Sequence, residues 1–115
     1  MDEKLIGILE QLGFDVIKQG TLDANEEVPQ AYFTFWNWQS TRDSHYDNKH
    51  RIVIYYYQIQ FFSDDVAIVD ETVARAVELL ETNGFNIEEE PTDEYSDIPN
   101  YTGKSFEINI EVRRN

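Results

Sequence analysis

Apolar residues recur with the period of an α-helix in two segments of the chain. In the first segment they stand at Leu5, Ile8, Leu9 and Leu12. One helical face collects these four positions, so the segment predicts a short amphipathic helix. Gly13 comes next, and it predicts that the helix ends in the left-handed conformation that glycine favours.

The second helical segment lies in the middle of the chain and predicts a longer helix. Ser63 or Asp64 is its predicted N-cap, and Asn83-Gly84 is its predicted end. The apolar stripe between these limits consists of Val69, Val73, Ala76, Val77 and Leu80. Because the stripe covers one face only, we expect this helix to pack against a sheet.

Strands are predicted in the remaining apolar stretches of the chain. A short strand over residues 14–17 follows the first helix, and longer strands are predicted over residues 31–38, 52–62 and 105–113. The strand over residues 52–62 should turn its fully apolar set toward the core, namely Val53, Tyr55, Tyr57, Ile59 and Phe61. The last strand alternates most cleanly, as expected of an antiparallel strand with one face buried.

Residues 88–101 are acidic and are interrupted by two prolines, which predicts a loop or an irregular strand edge. A strand should nevertheless begin directly after the second helix, because residues 80–87 resemble residues 9–16 around the glycine. The predicted element order is therefore α-β-β-β-α-β-β. We expect a single α+β domain over residues 1–115, with a mainly antiparallel sheet of four to five strands and both helices on one face.

Two of the predicted strands carry large apolar residues on both faces, whereas two helices can cover only one face of a sheet. The other face should therefore leave some large side chains exposed, drawn from Tyr32, Trp36, Trp38, Ile54 and Tyr56. An exposed patch of this kind is typical of a surface that binds a partner. Self-association into a symmetric oligomer is the simplest way to cover it.

The charge balance narrows the range of partners. The 115 residues include 23 acidic and nine basic ones, so the formal net charge is −14. Nucleic-acid binding requires a surface rich in Lys and Arg, which this composition disfavours. The longest apolar run, residues 52–57, is far shorter than the roughly 20 residues of a membrane-spanning helix. The absence of cysteine excludes disulfides and cysteine zinc sites.

The sequence offers few candidates for catalysis or metal binding. His45, Asp47 and His50 could bind a metal, but a solvated hairpin loop is the favoured interpretation because their spacing matches no helical histidine pair. Pairs and triplets of carboxylates recur, as expected by chance among 23 acidic residues, and no calcium-loop pattern accompanies them. No serine stands in a nucleophile-elbow motif. We therefore expect no enzyme activity, no cofactor and no metal site.

The order of elements resembles that of phage tail terminators, together with related minor-tail and head–tail joining proteins of long-tailed phages and prophages. In this chain Pro29 introduces the first long strand, a polar excursion leads to the strand over residues 52–62, and a second helix and a closing strand complete the pattern. The passage from strand to helix at residues 57–64 looks most like the family. The matching segments cover nearly the whole chain, while the acidic residues 88–97 have no counterpart in the pattern.

The resemblance implies a structural role without a chemical reaction. Proteins of this family form rings, often hexameric, that cap the tail tube and offer a docking surface to the head connector. It also implies a place in the virion and, during assembly, in the host cytoplasm. Residues 39–51, with His45 and His50, and residues 88–101 are the loops expected to face partners. An acidic ring lumen would repel DNA in transit, so no sequence-specific nucleic-acid contact is expected.

Two other classes of protein fit parts of the pattern. An acidic inhibitor or immunity-type protein would bind a basic enzyme through charge complementarity, and small size and a net charge of −14 suit this role. Such an inhibitor would be monomeric alone, whereas the tail hypothesis predicts self-assembly. A small enzyme is the third alternative, and it depends only on scattered carboxylates and two histidines.

Overall fold

A computed structural model describes residues 1–21, 29–44 and 51–114. Its elements are α1 (Asp2–Glu10), β1 (Asp15–Lys18), β2 (Ala31–Ser44), β3 (Arg51–Ser63), α2 (Val66–Thr82), β4 (Asn86–Tyr95) and β5 (Thr102–Arg114). This order is the predicted α-β-β-β-α-β-β. His45 and His50 lie outside the described residues, so their expected contact with partners stays a prediction.

The five strands form one mixed sheet in the order β1-β2-β3-β5-β4. β1 runs parallel to β2, and the other three neighbouring pairs are antiparallel. About a dozen residues separate β1 from β2, which is the length that a crossover between parallel strands requires. The α+β class and the mainly antiparallel sheet are therefore as predicted.

Both helices pack against the same face of the sheet and enclose one core. α2 contributes most of its predicted stripe, with Val69, Val73, Ala76 and Leu80 buried. The sheet supplies the largest side chains of this core, which include Phe33, Phe35, Tyr57, Ile59, Phe61, Phe106 and Ile108. Burial of each such side chain contributes roughly 1.5–3 kcal/mol, so this layer supplies the main favourable term in folding.

Both helices are followed by a glycine turn that leads directly into a strand. At the end of α2, Gly84 has a φ of 91°, and the N–H of Phe85 donates to the carbonyl of Leu80 at 3.0 Å. This is the Schellman arrangement, which satisfies the last carbonyl groups of a helix. Gly13 has a φ of 90° after α1. The repeated turn is thus confirmed at both glycines, although the regular helix of α1 ends earlier, at Glu10.

The N-cap of α2 differs from the prediction. Asp65, rather than Ser63 or Asp64, occupies this position, and its carboxylate accepts a hydrogen bond of 3.0 Å from the N–H of Ala67. Ser63 is still part of β3, where it pairs with both neighbouring strands. Its hydroxyl accepts a hydrogen bond from the N–H of Asp65 at 3.1 Å. The helix starts later than expected because the sheet holds Ser63 in an extended conformation.

The region predicted as a loop or an irregular strand edge is an edge strand, β4. Its pairing with β5 shifts register between Ile87 and Glu89, and again between Glu89 and Thr92. Pro91 lies within the second shift, where its missing N–H interrupts no regular ladder. The loop alternative is therefore wrong for residues 88–95, where the strand-edge alternative is confirmed, and it holds for residues 96–101.

The long central strands give the molecule an extended shape. β2 continues past its predicted end at Trp38 to Ser44, and it is paired with β3 at that end. The polar residues 39–44 can form a strand because ladder hydrogen bonds depend on the backbone and not on side-chain polarity. The radius of gyration is 15.5 Å, with principal extents of 54 × 29 × 22 Å. A compact domain of this length would have a radius of gyration of about 13 Å.

Candidate interaction surface

The sheet face opposite the helices carries a group of large side chains. Trp36 is 47% exposed and Trp38 is 40% exposed, and they are two of the four exposed large apolar residues among those described. Tyr56 packs against Trp38, with ring centroids 5.1 Å apart and planes inclined by 44°. Tyr56 and Ile54, two residues apart on β3, are half-buried. We name Trp36, Trp38, Ile54 and Tyr56 the aromatic patch.

A β-bulge lies within the aromatic patch. The register of β2 with β3 shifts between Asn37 and Gln39, so Trp38 is the additional residue, and its ring lies against Tyr56. The side-chain amide of Asn37 holds the bulge, because it donates to the carbonyls of Gln39 at 3.3 Å and Tyr56 at 3.2 Å. Bulges are common where a strand presents a side chain for a function. Sequence alternation alone gave no sign of this one.

Tyr32 does not contribute to the exposed patch, because its side chain is only 6% exposed. The rings of Phe62 and Tyr101 pack against it, with centroids 5.7 Å and 6.4 Å away. Tyr101 is fixed by a hydrogen bond of 3.0 Å from its hydroxyl to the carbonyl of Pro29. Tyr101 is distant from Tyr32 in the chain, so the pattern along β2 could not reveal this cover.

A short hydrogen-bond network separates Tyr32 from the aromatic patch. The side-chain oxygen of Gln60 accepts a hydrogen bond from the hydroxyl of Thr34 at 2.9 Å and from the amide of Gln19 at 2.6 Å. Thr34 lies between Tyr32 and Trp36 on the same face of β2. The aromatic patch is therefore bounded by satisfied polar groups on this side.

The β4–β5 half of the same sheet face is acidic. Glu107 of β5 pairs in register with Glu89 of β4. Burial, followed by the charges of Glu89 and Glu88, raises the pKa of the Glu107 carboxyl above its usual range. The amide of Asn109 donates to the carboxylate of Glu88. In the sequence Glu88 and Glu89 belong to a triplet of the kind expected by chance, and only the shifted register of β4 shows that they are crowded together with Glu107.

An open depression of about 740 Å³ lies between the start of α2 and the ends of β4 and β5. The ammonium group of Lys104 stands in it, 3.7 Å from the carboxylate of Asp70 and 3.6 Å from that of Asp93. These contacts tie α2 to the sheet. The third carboxylate of the depression, that of Glu94, accepts a hydrogen bond from the hydroxyl of Ser105 at 2.9 Å. Partly exposed ion pairs such as those of Lys104 contribute about 1 kcal/mol or less.

A second depression, of about 500 Å³, lies where α1 meets the sheet. The carboxylate of Asp2 accepts hydrogen bonds from Lys18 at 2.9 Å and from the hydroxyl of Tyr57 at 2.7 Å. The bond from Lys18 is the main reason that the pKa of Asp2 is lowered. Burial raises the pKa of the Tyr57 phenol, so this group stays protonated and acts as a donor. This network also joins a helix to the sheet.

No group of three or more His, Asp or Glu side chains in residues 1–21, 29–44 and 51–114 is arranged to hold a metal ion. In the same part of the chain, no helix combines the length and the apolar character needed to cross a bilayer. Neither a scan against models of protein families nor a search of curated proteins finds a match to this chain. The aromatic patch and the charges around it are therefore the features of the molecule that point to a function.

Proposed function

We propose that this chain is a non-enzymatic assembly protein that associates with further copies of itself through the aromatic patch. The observation that carries the proposal is the exposure of Trp36 and Trp38, at 47% and 40%, on the sheet face opposite the helices. Tryptophan and tyrosine are enriched at protein interfaces and dominate their binding energy. A further copy of the chain is the simplest partner, because symmetric homo-oligomers are the commonest assemblies of soluble proteins.

The more specific form of this proposal is a ring of the tail-terminator or head–tail joining type, in a long-tailed phage or prophage. It is supported by the resemblance in element order and in the passage from β3 to α2. The ring would bind the tail tube on one side and the head connector on the other, in the virion and, during assembly, in the host cytoplasm. Residues 39–51 and 88–101 are proposed to face these partners, and they include the end of β2 and most of β4.

Light scattering after size exclusion, over a concentration series, tests the self-association. For the wild-type protein we expect a mass above the 13.6 kDa of one chain, rising with concentration toward a fixed multiple. Trp36→Ser/Trp38→Ser should weaken the association by at least about tenfold, because aromatic anchors in an interface each contribute on the order of 1–2 kcal/mol. Both side chains are exposed, so the double variant should fold like the wild type.

Tyr95→Ser provides the matched control for this experiment. Tyr95 is 98% exposed and stands at the end of β4, outside the aromatic patch. Its substitution removes an exposed aromatic ring and should leave the association constant unchanged. A wild-type protein that stays at 13.6 kDa at every concentration would contradict the proposal. Equal weakening by Tyr95→Ser and the double tryptophan variant would contradict the role of the patch.

An acidic inhibitor that binds a basic enzyme is the second candidate function. β4 favours it, because Glu88, Glu89 and Glu90 are all exposed on a strand that contains no basic residue. Complementary charges would accelerate the encounter with a basic partner and make the binding weaken in salt. The same mass measurement separates the two candidates, since an inhibitor would remain monomeric alone at every concentration.

A further inference from the structure

The three central strands continue past both edge strands and form what we name the arm, which is residues 40–44, 51–55 and 110–114. Pairing of β1 with β2 ends at Phe35, and pairing of β4 with β5 ends at Asn109. In the arm, β3 alone has a neighbour on each side. Within the described residues, β2 and β5 therefore each present an unpaired edge, and unpaired edges are places where a further chain docks.

Arginine is concentrated in the arm. Four of the five arginines in the chain lie there, whereas the arm holds only two of the 23 acidic residues. The register sets Arg51 beside Arg114 and Ile52 beside Arg113, with Arg42 on the other side of β3. Arg113 is exposed, and none of the ion pairs in the described part of the chain includes it. One end of a strongly acidic molecule is therefore basic.

β4 is the acidic counterpart of the arm. Five of its ten residues are Glu or Asp, and none is Lys or Arg. Glu88, Glu89 and Glu90 are exposed, and the described Lys and Arg residues form no ion pair with them. Burial, followed by the charges of Glu89 and Glu88, also raises the pKa of the neighbouring Glu107 carboxyl.

Within one molecule these two regions do not neutralise each other. Asn109 is the last β5 residue that β4 reaches, and Arg113 lies four residues farther along the strand, a backbone distance of about 14 Å. Charges that far apart are largely screened at physiological salt, where the Debye length is about 8 Å. Within the described part of the chain the arm and β4 share no ion pair, so we expect ion pairs between these two regions to form between two molecules.

We propose that the arm of one copy docks on residues 88–90 of β4 in a second copy, through ion pairs between the exposed Arg113 and the exposed Glu88, Glu89 and Glu90. This contact rests on the self-association proposed above, and it specifies which two surfaces of neighbouring copies meet. The contact joins two different surfaces, so it repeats head to tail and generates a ring or an open filament. Trp38 lies only two residues before the arm on β2, and Arg113 pairs with Ile52 on the sheet face that carries the aromatic patch.

Sedimentation velocity over a concentration series tests the arm contact by charge reversal. Arg113→Glu should weaken self-association by about tenfold or more, which corresponds to the loss of one close charge pair. Raising the salt from about 0.05 M to about 1 M should weaken the wild type strongly and the variant much less. Arg75→Glu is the matched control, because Arg75 is exposed on α2 and the substitution changes the net charge equally. The control should associate like the wild type.

A complementary variant makes the test independent of any single substitution. Glu89→Lys should weaken self-association by a factor similar to that of Arg113→Glu. An equimolar mixture of the two variants should associate as tightly as the wild type, because in an alternating assembly each arm again meets a strand of opposite charge. This recovery requires a contact between the arm and β4, and a general effect of net charge would not produce it.

Three results would overturn the arm contact. The first is an Arg113→Glu protein that associates like Arg75→Glu, and the second is a mixture that does not recover. In either case the aromatic patch stands if Trp36→Ser/Trp38→Ser still weakens association. The third concerns DNA: the wild type binds a short DNA duplex, and Arg113→Glu loses this binding while its self-association is unchanged. That result would show that the arm binds nucleic acid instead. A wild-type monomer at every concentration would remove the arm contact and the proposed function together.

Discussion

Gly103 lies beneath the ring of Phe62, its partner on β3, on the sheet face opposite the helices. A Cβ atom at this position would stand 2.8 Å from the carbonyl oxygen of Phe61 and closer still to the Phe62 ring. Favourable contacts between such atoms need about 3.5 Å or more. The ring also packs against Tyr32, so it has little room to move away.

Gly103→Ala should therefore lower the free energy of unfolding by about 1–3 kcal/mol, the usual effect of overpacking. Urea denaturation measures this difference. Gly7→Ala is the control, since Gly7 lies in α1 with nothing within 4 Å of an added Cβ. That substitution should raise the free energy of unfolding by up to about 1 kcal/mol, because alanine favours the helix. Equal stability of Gly103→Ala and the wild type would contradict the packing described for Phe62.

Because the pKa of Glu107 is raised in the folded state, this residue should make the free energy of unfolding fall as the pH rises. The folded state holds the proton more tightly than the unfolded chain, whose pKa is about 4.3. The resulting contribution to stability is full below that unfolded pKa and is lost as the pH rises through the raised folded pKa. Glu107→Gln cannot lose a proton and should avoid this loss.

The melting temperature of Glu107→Gln should thus equal that of the wild type at about pH 4 and exceed it at about pH 7. Thermal melts followed by circular dichroism over this range would show the difference. Glu111→Gln removes the same charge from an exposed position on the same strand, and its effect should be smaller. A Glu107→Gln protein that is less stable than the wild type at neutral pH would show that the carboxylate is stabilised rather than crowded.

The exposure or burial of a single side chain could be predicted from the sequence only where it follows from the alternation of faces along a strand. Alternation predicted that large side chains on the helix-free face would be exposed, and Trp36 and Trp38 are exposed. The burial of Tyr32 depends on Tyr101, and the crowding of Glu107 depends on the register of β4. Both environments arise from contacts between distant parts of the chain, and a local sequence pattern cannot predict such contacts.

At the scale of elements, the helices and the long strands follow from hydrophobic period because each has one face in the core. The order of elements was predicted in full, and the end of α2 at Asn83-Gly84 was predicted by its glycine. For β4 the sequence could not decide between a loop and a strand edge. An edge strand with Pro91 and five acidic residues buries almost nothing, so no hydrophobic period marks it. The extension of β2 to Ser44 was missed because residues 39–44 are all polar, so no alternation with apolar residues marks them as a strand.

The N-cap of α2 gives a prediction at this scale. Asp65→Ala should lower the free energy of unfolding by about 1 kcal/mol, because it removes the acceptor for the N–H of Ala67. Asp64→Ala is the matched control, since the exposed carboxylate of Asp64 accepts hydrogen bonds from the side chains of Gln30, at 3.2 Å, and Ser63, at 3.5 Å, rather than from an N–H of the helix. Chemical denaturation of both variants checks this. A larger loss in Asp64→Ala than in Asp65→Ala would place the cap at the earlier residue.

At the scale of the whole molecule, three features lie along one extended sheet. Both helices cover one face, the aromatic patch occupies the β2–β3 half of the other face, and crowded carboxylates occupy its β4–β5 half. Arginines gather at the end of the sheet that runs past both edge strands. Composition alone gives a net charge of −14 and conceals this separation, because the register of the sheet decides which charges lie together.

The most direct test of self-association through the aromatic patch uses the chain's own fluorescence. Trp36 and Trp38 are the only two tryptophans in the sequence, so all tryptophan emission reports on the patch. Acrylamide quenching of this emission should be measured as protein concentration is raised through the range in which the mass increases. We predict that quenching falls and the emission shifts to shorter wavelength as the patch becomes buried. A rising mass with unchanged quenching would show that copies associate elsewhere and would contradict the account.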